Sequence, residues 1–300
     1  MQDTIINKAI ELKNRKYSIV SALVTLFTMF FAGIRTVECY DSFFAVAKKV
    51  FGVEVGEEHL KHDGLIISVG NDKIGEDTLI CDVSCALDCF CRLNGLCDIC
   101  NECYAIALES FRYPKLLKNV LSARRWLSTS YEEKIASFEW YIDDSIKYIR
   151  FNAYGDFYDL ESLKTAFRIA TEMYYSYGII TYFYTHNKQL EQYIVDNYSE
   201  SSYFVCNFSY PVPNQKETIA IEPKDIKLYA ENDAFIICDG ECYNCPYCKQ
   251  KWLNKTIVFV KHGKGQSATK MVRKALGKKK FEELQNQKLL SYVIWRNSLQ

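Results

Sequence analysis

The chain has 300 residues, 49% of them apolar and 15% aromatic, which is ample for a sizeable core and excludes a disordered chain or a small disulfide scaffold. Lys and Arg number 37 and so do Asp and Glu. That balance excludes an overall field drawing the protein to nucleic acid, so any basic contact surface has to be local.

Residues 1–60 read as an N-terminal helical segment, with apolar positions at helical spacing in "DTIINKAIELKNRK" and a second amphipathic run, "DSFFAVAKKVFGVEV", behind an Asp cap. Between them, residues 18–34, "SIVSALVTLFTMFFAGI", carry no charge over seventeen residues. This is the lower limit for a membrane span, and two readings stay open: a buried helix, or an anchor that leaves the rest of the protein in the cytoplasm. Export is disfavoured, because a polar stretch precedes the apolar run and secretion would oxidise the thiols further on.

From "GLIISVGNDKIGEDTLICDV" the pattern changes to short apolar runs bounded by Gly, Asn and Asp, the mark of strands and tight turns. "YAIALESFRYPKLLKNVLSARRWL" is helical with a break at Pro114. Strands and helices then alternate: "IKYIRFNAY", the helix "DLESLKTAFRIATEMYYSYG", "IITYFYTH", the helix "NKQLEQYIVDNY", "SYFVCNFS", "AFIICD" and "TIVFVKH". Such alternation implies an α/β fold with a mainly parallel sheet, and a full or partial (β/α) barrel over residues 61–265 is the leading expectation, with an open doubly wound sheet behind it. Residues 266–300 form a basic C-terminal helical segment, expected to be a solvated helix or a local contact for nucleic acid.

Eleven of the thirteen cysteines lie in two groups, residues 81–103 and 238–248. In "CDGECYNCPYC" the thiols of Cys238, Cys242, Cys245 and Cys248 are separated by three, two and two residues. Short loops of this kind turn several sulfurs toward one centre, so the spacing points to a metal. One compact run of four favours an iron–sulfur cluster over zinc, which usually joins two separated pairs; zinc stays as the alternative. The first group has more thiols than one site requires. Three ligands there would leave one iron open to a substrate or cofactor.

Other candidates have ordinary structural explanations beside the functional ones. "YGDF" is either a cofactor-facing turn or a strand-to-helix turn in which Asp159 caps the next helix. His186 and His262 are each local hydrogen-bonding residues or acid–base groups, and Arg124 and Arg125 are a solvated pair or an anion site. The aromatic run "EMYYSYGIITYFYTH" is expected to be packing rather than a base-stacking platform.

Six pieces in order, "NDKIGEDTLI", "DCFCRLNGLC", "CYAIALESFRYP", "RFNAYGDFYDLESL", "YFYTHNKQL" and "CDGECYNCPYCK", resemble the phage gene product eighty-eight family of phages and mobile elements. The resemblance covers about residues 65–265. It implies that Cys89, Cys97, Cys103, Cys238, Cys242, Cys245 and Cys248 are the metal ligands, and that Cys81, Cys85, Cys91 and Cys100 are additions of this chain. A more remote similarity is to radical S-adenosylmethionine enzymes, which hold a three-cysteine [4Fe–4S] cluster at a barrel rim. It implies that Gly155 and Asp156 bind the cofactor and that Cys89, Cys97 and Cys103 hold the open cluster, with the late four an auxiliary one. The resulting expectation is a radical S-adenosylmethionine-like protein acting on an unknown substrate. The alternative is a non-catalytic metal-stabilised protein that contacts nucleic acid or a protein partner.

Overall fold

The structure, a computed structural model, describes residues 2–59, 63–70, 74–88, 103–243, 245–251, 255–261 and 267–298. Two compact units are built from interleaved stretches of chain: Met1–Ser68, Ile80–Ile142 and Phe151–Ile169 form one, and Val69–Leu79, Asp143–Arg150 and Ala170–Gln300 form the other. These boundaries run across the three consecutive segments expected from the sequence.

In the first unit, α1 (Gln2–Asn14), α2 (Ile19–Phe30) and α3 (Val37–Val46) bring their apolar faces together. Ser18 caps α2 by accepting from the Ser21 N–H at 3.2 Å. Ala22, Leu23, Leu26 and Phe27 recur at helical spacing and are all fully buried. Phe43 of α3 meets Phe27 and Phe31 edge-on, with ring centroids 5.2 and 5.3 Å away. The same cluster takes in Leu116, Leu117, Val120 and Ala123 of a later helix, α5 (Tyr113–Ser128).

The apolar run 18–34 is thus largely a core helix. At 12 residues α2 extends only about 18 Å, against about 30 Å of bilayer hydrocarbon. Among the described residues no helix is long and apolar enough to cross a membrane.

Between α4 (Tyr104–Phe111) and α5 the chain breaks at the extended Arg112, and Pro114 falls in the first turn of α5, as its missing N–H and fixed φ favour. Helix α6 (Tyr131–Glu139) opens with a reciprocal Ser130–Glu133 capping box. Asp159 caps α7 (Leu160–Tyr177) through a 2.8 Å bond from the Ser162 N–H.

The strands are β1 (Ile67–Val69), β2 (Thr78–Cys81), β3 (Tyr148–Phe151), β4 (Ile180–Thr185) and β5 (Phe204–Phe208), ordered β1-β2-β3-β4-β5 in one sheet. A second sheet has the order β6-β8-β7, from β6 (Thr218–Ile221), β7 (Phe235–Cys238) and β8 (Thr256–Val260). Each pair with a described register, β3–β4, β4–β5, β6–β8 and β7–β8, is parallel. Helices α7 and α8 (Lys188–Tyr198) make the crossovers between β3, β4 and β5, as parallel pairing requires. The mixed α/β class and the mainly parallel sheet agree with the alternating pattern of the sequence. A full barrel is not shown: the described strands form one five-stranded and one three-stranded sheet, joined by a single parallel bridge between Phe208 and Glu217.

In the second unit the basic C-terminal stretch is part of the core. After a short α9 (Ile226–Ala230), helices α10 (Ala268–Leu276) and α11 (Lys278–Ser298) are separated by Gly277, which turns the chain with φ +78°. Val272 and Phe281 pack with Ile221, Ile237, Val258 and Val260 of the three-stranded sheet. Most of the segment's charged residues are exposed, with Lys288 a buried exception.

If α2 is core, Phe27→Ala should lower unfolding stability by roughly 3–5 kcal/mol, whereas Met29→Ala on the same helix, at a position 55% exposed, should change it by less than about 0.5 kcal/mol. Denaturant titration of the two variants checks this. Equal effects would contradict the packing.

Candidate metal centre

Strand β7 delivers Cys238 to the start of a tightly bonded loop within the second unit. The carboxylate of the next residue, Asp239, is 2% exposed; it accepts from the Glu241 N–H at 3.0 Å and from Lys288 Nζ of α11 at 2.6 Å. Lys288 also donates to the Glu241 carbonyl, and Thr269 of α10 donates to the Asp239 carbonyl. Gly240, with φ +80°, supplies the reversal that lets Asp239 fold back on Glu241.

Two turns then follow. The Cys245 N–H donates to the Cys242 carbonyl at 3.1 Å, and the N–H groups of Lys249 and Gln250 donate to the Pro246 carbonyl at 2.8 and 2.9 Å. Asn207 of β5 reaches the Cys248 carbonyl at 3.1 Å while holding the Phe183 carbonyl of β4 at 3.0 Å. The loop is anchored to helix and sheet at both ends.

All four cysteines are half-buried, and among the described residues no cysteine is in a disulfide. Burial pushes the Cys238 thiol well above its ordinary range, and neighbouring Cys242, Cys248 and Cys245 push it further. Cys245 is raised to about 12 by burial and then by Cys248 and Cys242. The four sulfurs are near enough for their charges to repel. They are not set in a finished cage: among the described residues no group of three or more Cys, His, Asp or Glu stands ready to hold a metal ion.

What makes the loop unusual is the cations buried around it. Lys249 is 1% exposed, its Nζ has no hydrogen-bond partner, and it lies 3.8 Å from the centroid of the Tyr148 ring. Arg150 of β3 has a buried Nε, likewise unpartnered, and its guanidinium is 5.2 Å from the Tyr184 ring. Burial works against the Arg150 charge, but Tyr182, Tyr184, Cys242 and Cys248 outweigh it and raise the guanidinium's pKa. Burial brings Lys216 down to about 8, opposed by Cys248, Cys245 and Cys206.

An unpaired buried charge costs several kcal/mol, on the order of 3–5 when one partner is removed from a buried pair. Four thiolates around Zn²⁺ or a [4Fe–4S]²⁺ core carry a net charge of about −2, which would give Arg150 and Lys249 their counter-charge. The donor set and its surroundings fit a cysteine-ligated centre.

The first cysteine group is reached only at its edges. Cys89, Cys91, Cys97 and Cys100 lie outside the described residues, as does His262; Cys103 precedes α4 as its N-cap residue and is half-buried. Cys81 and Cys85 are buried, with burial raising both thiols.

The approach to Cys89 is fixed by two buried carboxylates. Asp88 accepts from the Gly33 N–H at 2.6 Å and the Tyr40 hydroxyl at 2.8 Å and pairs with Arg35 at 3.4 Å. Glu109 accepts from the Ala86 and Leu87 N–H groups at 2.8 and 2.9 Å and from Asn119 Nδ2 at 2.6 Å.

Gly155 and Asp156 stand just beyond β3, where the chain is bound to the exit of β2. Asn152, at φ +55°, donates its N–H to the Cys81 carbonyl and accepts from the Val83 N–H. Gly155 has φ +74°, and a Cβ there would come within 2.4 Å of Ser84 Oγ. Ser84 Oγ donates to the Asp156 carbonyl at 2.7 Å and accepts from the Asp156 N–H at 3.1 Å, while the buried Asp156 carboxylate accepts from the Phe157 N–H at 2.7 Å. Both residues have turn-holding work.

The remaining sequence candidates separate. Arg124 pairs with Asp41 through two hydrogen bonds at the surface, and the buried Arg125 donates to the Gly64 carbonyl. His186 is half-buried, and burial lowers its pKa. In the aromatic run, Tyr174 stacks on Tyr203 at 4.6 Å, as packing requires.

Sequence reasoning missed Arg150, Lys216 and Lys249. The signals were present: Arg150 interrupts the apolar strand "YIRF", and Lys249 directly follows the last cysteine. No protein-family model, curated protein or solved structure matches the chain.

Burial raises Glu109 to about 7 from an ordinary 4.5, against the hydrogen bonds that favour its charge. A folded pKa above the unfolded one gives a stabilising contribution that is complete below about pH 4.5 and lost as pH rises through 7. The protein should therefore lose roughly 1–3 kcal/mol between pH 5 and 8, and Glu109→Gln should flatten that slope. Unfolding measured across this range decides it; parallel slopes for the two proteins would refute the assignment.

Proposed function

We propose that the protein is an iron–sulfur protein in which Cys238, Cys242, Cys245 and Cys248 hold a cluster and Arg150 and Lys249 balance its charge. The observation that carries this reading is the placement of the buried Lys249 ammonium, whose Nζ has no hydrogen-bond partner, and of the Arg150 guanidinium, whose Nε has none, beside four thiols on one loop. When bound, such a cluster supplies one-electron chemistry, and its potential depends on burial and on nearby charge. Asn207, Lys288 and Thr269 hold the loop's backbone at both ends, so binding a metal would need only the cysteine side chains between them to close on it.

The catalytic form of the reading is radical S-adenosylmethionine-like. Cys89, Cys97 and Cys103 would hold the open cluster, Gly155 and Asp156 would receive the cofactor's amino group, and the sheets would belong to a partial (β/α) barrel. The motif resemblance supports this, as do the neighbouring parallel strands β3 to β5 and the position of Gly155 and Asp156 at the carboxyl end of β3. A structural zinc site in a binding protein is the second reading, favoured by the same four sulfurs.

Anaerobic purification followed by iron, sulfide and zinc analysis distinguishes them. Iron and acid-labile sulfide in matching amounts are expected; stoichiometric zinc without sulfide would replace the cluster by the second reading. Cys242→Ala and Cys245→Ala should each remove the metal and destabilise the fold, because binding of this kind is coupled to folding. Lys249→Met should leave the thiols in place but lower metal retention or shift the midpoint potential. A metal content and potential equal to wild type would show that the cation does not serve the centre.

Asp156→Asn tests the cofactor reading on loaded, reduced protein. It keeps the turn's hydrogen-bonding capacity but removes the charge, so S-adenosylmethionine binding should weaken by roughly 1.5–3 kcal/mol. Wild-type protein that carries iron and sulfide yet neither binds the cofactor nor releases 5′-deoxyadenosine would leave the clusters as structural or electron-transfer centres.

A further inference from the structure

A cavity of about 480 Å³ opens in the second unit between α8, β5 and the segments that lead into β6, β7 and β8. This is within the usual range of small-molecule sites, about 300–1,000 Å³. Its walls differ in character. Ile194 and Tyr198 of α8, with Phe204 and Val205 of β5, bring apolar groups to one side. Lys216, Lys251 and Lys255 bring three amines.

The charges do not cancel within the cavity. Glu200 pairs with Lys251 at 2.9 Å, and Glu217 accepts from the Thr256 hydroxyl. Lys216 is 7% exposed and donates to the Gln250 carbonyl at 2.7 Å, a neutral partner, and among the described residues no carboxylate pairs with it. A cation held at a cavity wall by a neutral acceptor, opposite apolar side chains, has the chemistry that recognises an anionic head on an apolar body.

We propose that this cavity binds a small organic anion, with its phosphate or carboxylate head on Lys216 and its apolar body against Ile194 and Tyr198. The inference goes beyond the metal centre and uses none of its ligands. It also suggests communication between the two, since Lys216 binds the backbone two residues past Cys248. An occupant that draws on Lys216 acts on the end of the cysteine loop, and occupancy and metal retention are then thermodynamically linked.

The test is equilibrium binding of phenyl phosphate, benzoate and inorganic phosphate to the full chain, with iron and sulfide measured on the same samples. Saturable binding of phenyl phosphate or benzoate is expected, tighter than that of inorganic phosphate, and the better of the two identifies the head group. Lys216→Met should weaken it at least about ten-fold, the loss expected for one charge-assisted hydrogen bond, while Lys216→Arg retains binding. Cys206→Trp, which fills the cavity from β5 and keeps every lysine, should block binding and serves where Lys216→Met does not fold. No saturable binding at millimolar concentration, or binding that Lys216→Met and Cys206→Trp leave unchanged, overturns the proposal. Ligand binding by iron-free protein sinks the cluster reading alone; loaded protein without ligand binding sinks this one alone.

Discussion

Buried cationic charge beside Cys238–Cys248 is the constraint on which the second unit depends. Protonated thiols would leave Lys249 Nζ and Arg150 Nε without a hydrogen-bond acceptor and with Asp77 as the carboxylate acting on Lys249, while ionised thiols without a metal would repel one another. Either state alone is costly. The loop is braced against both, through Lys288 and Asp239 on the helix side and Asn207 on the sheet side. Tyrosine rings take up part of the cationic field, Tyr148 beneath Lys249 and Tyr184 beside Arg150.

The first unit solves a different problem by similar means. Its helices bury an ordinary apolar core, yet the turn entering the thiol-rich stretch is held by carboxylates with no exposed surface. Glu109 satisfies two backbone N–H groups that no helix or strand would otherwise engage, and Asp88 gathers a backbone N–H, a phenol and a guanidinium. A hydrophobic contact would fill the same space without fixing the direction of the chain. Polar groups of this kind specify one conformation at a cost in desolvation.

Local structure was legible where a local rule governs it. Pro114 marks the start of α5, Asp159 caps α7, and the alternating apolar runs give β3 to β5, β7 and β8 with their crossover helices. Strand β6, "TIAI" between Glu217 and Glu222, was not read from the sequence. The basic C-terminus is helical as its pattern implied, and Val272 and Phe281 decide where α10 and α11 pack, while Lys288 is buried against Asp239, which no charge count announces. Cysteine spacing identified the candidate ligands, since short loops limit where sulfurs can go. The cations were not legible, because Arg150 and Lys216 lie 98 and 32 residues before Cys248 and meet its loop only through the fold.

The Asp88 clamp also has a meaning in time. A ribosome delivers Arg35 and Tyr40 first, and the carboxylate that Tyr40 grips follows 48 residues later. Until then Arg35 has no anion to pair with and the helical hairpin lacks the Leu116 and Val120 side of its core. Cys89, the first of the proposed ligands, is the very next residue to be made after Asp88. Translation therefore imposes an order of synthesis in which the N-terminal helices come first, the carboxylate that Arg35 and Tyr40 share comes later, and the proposed ligands follow it.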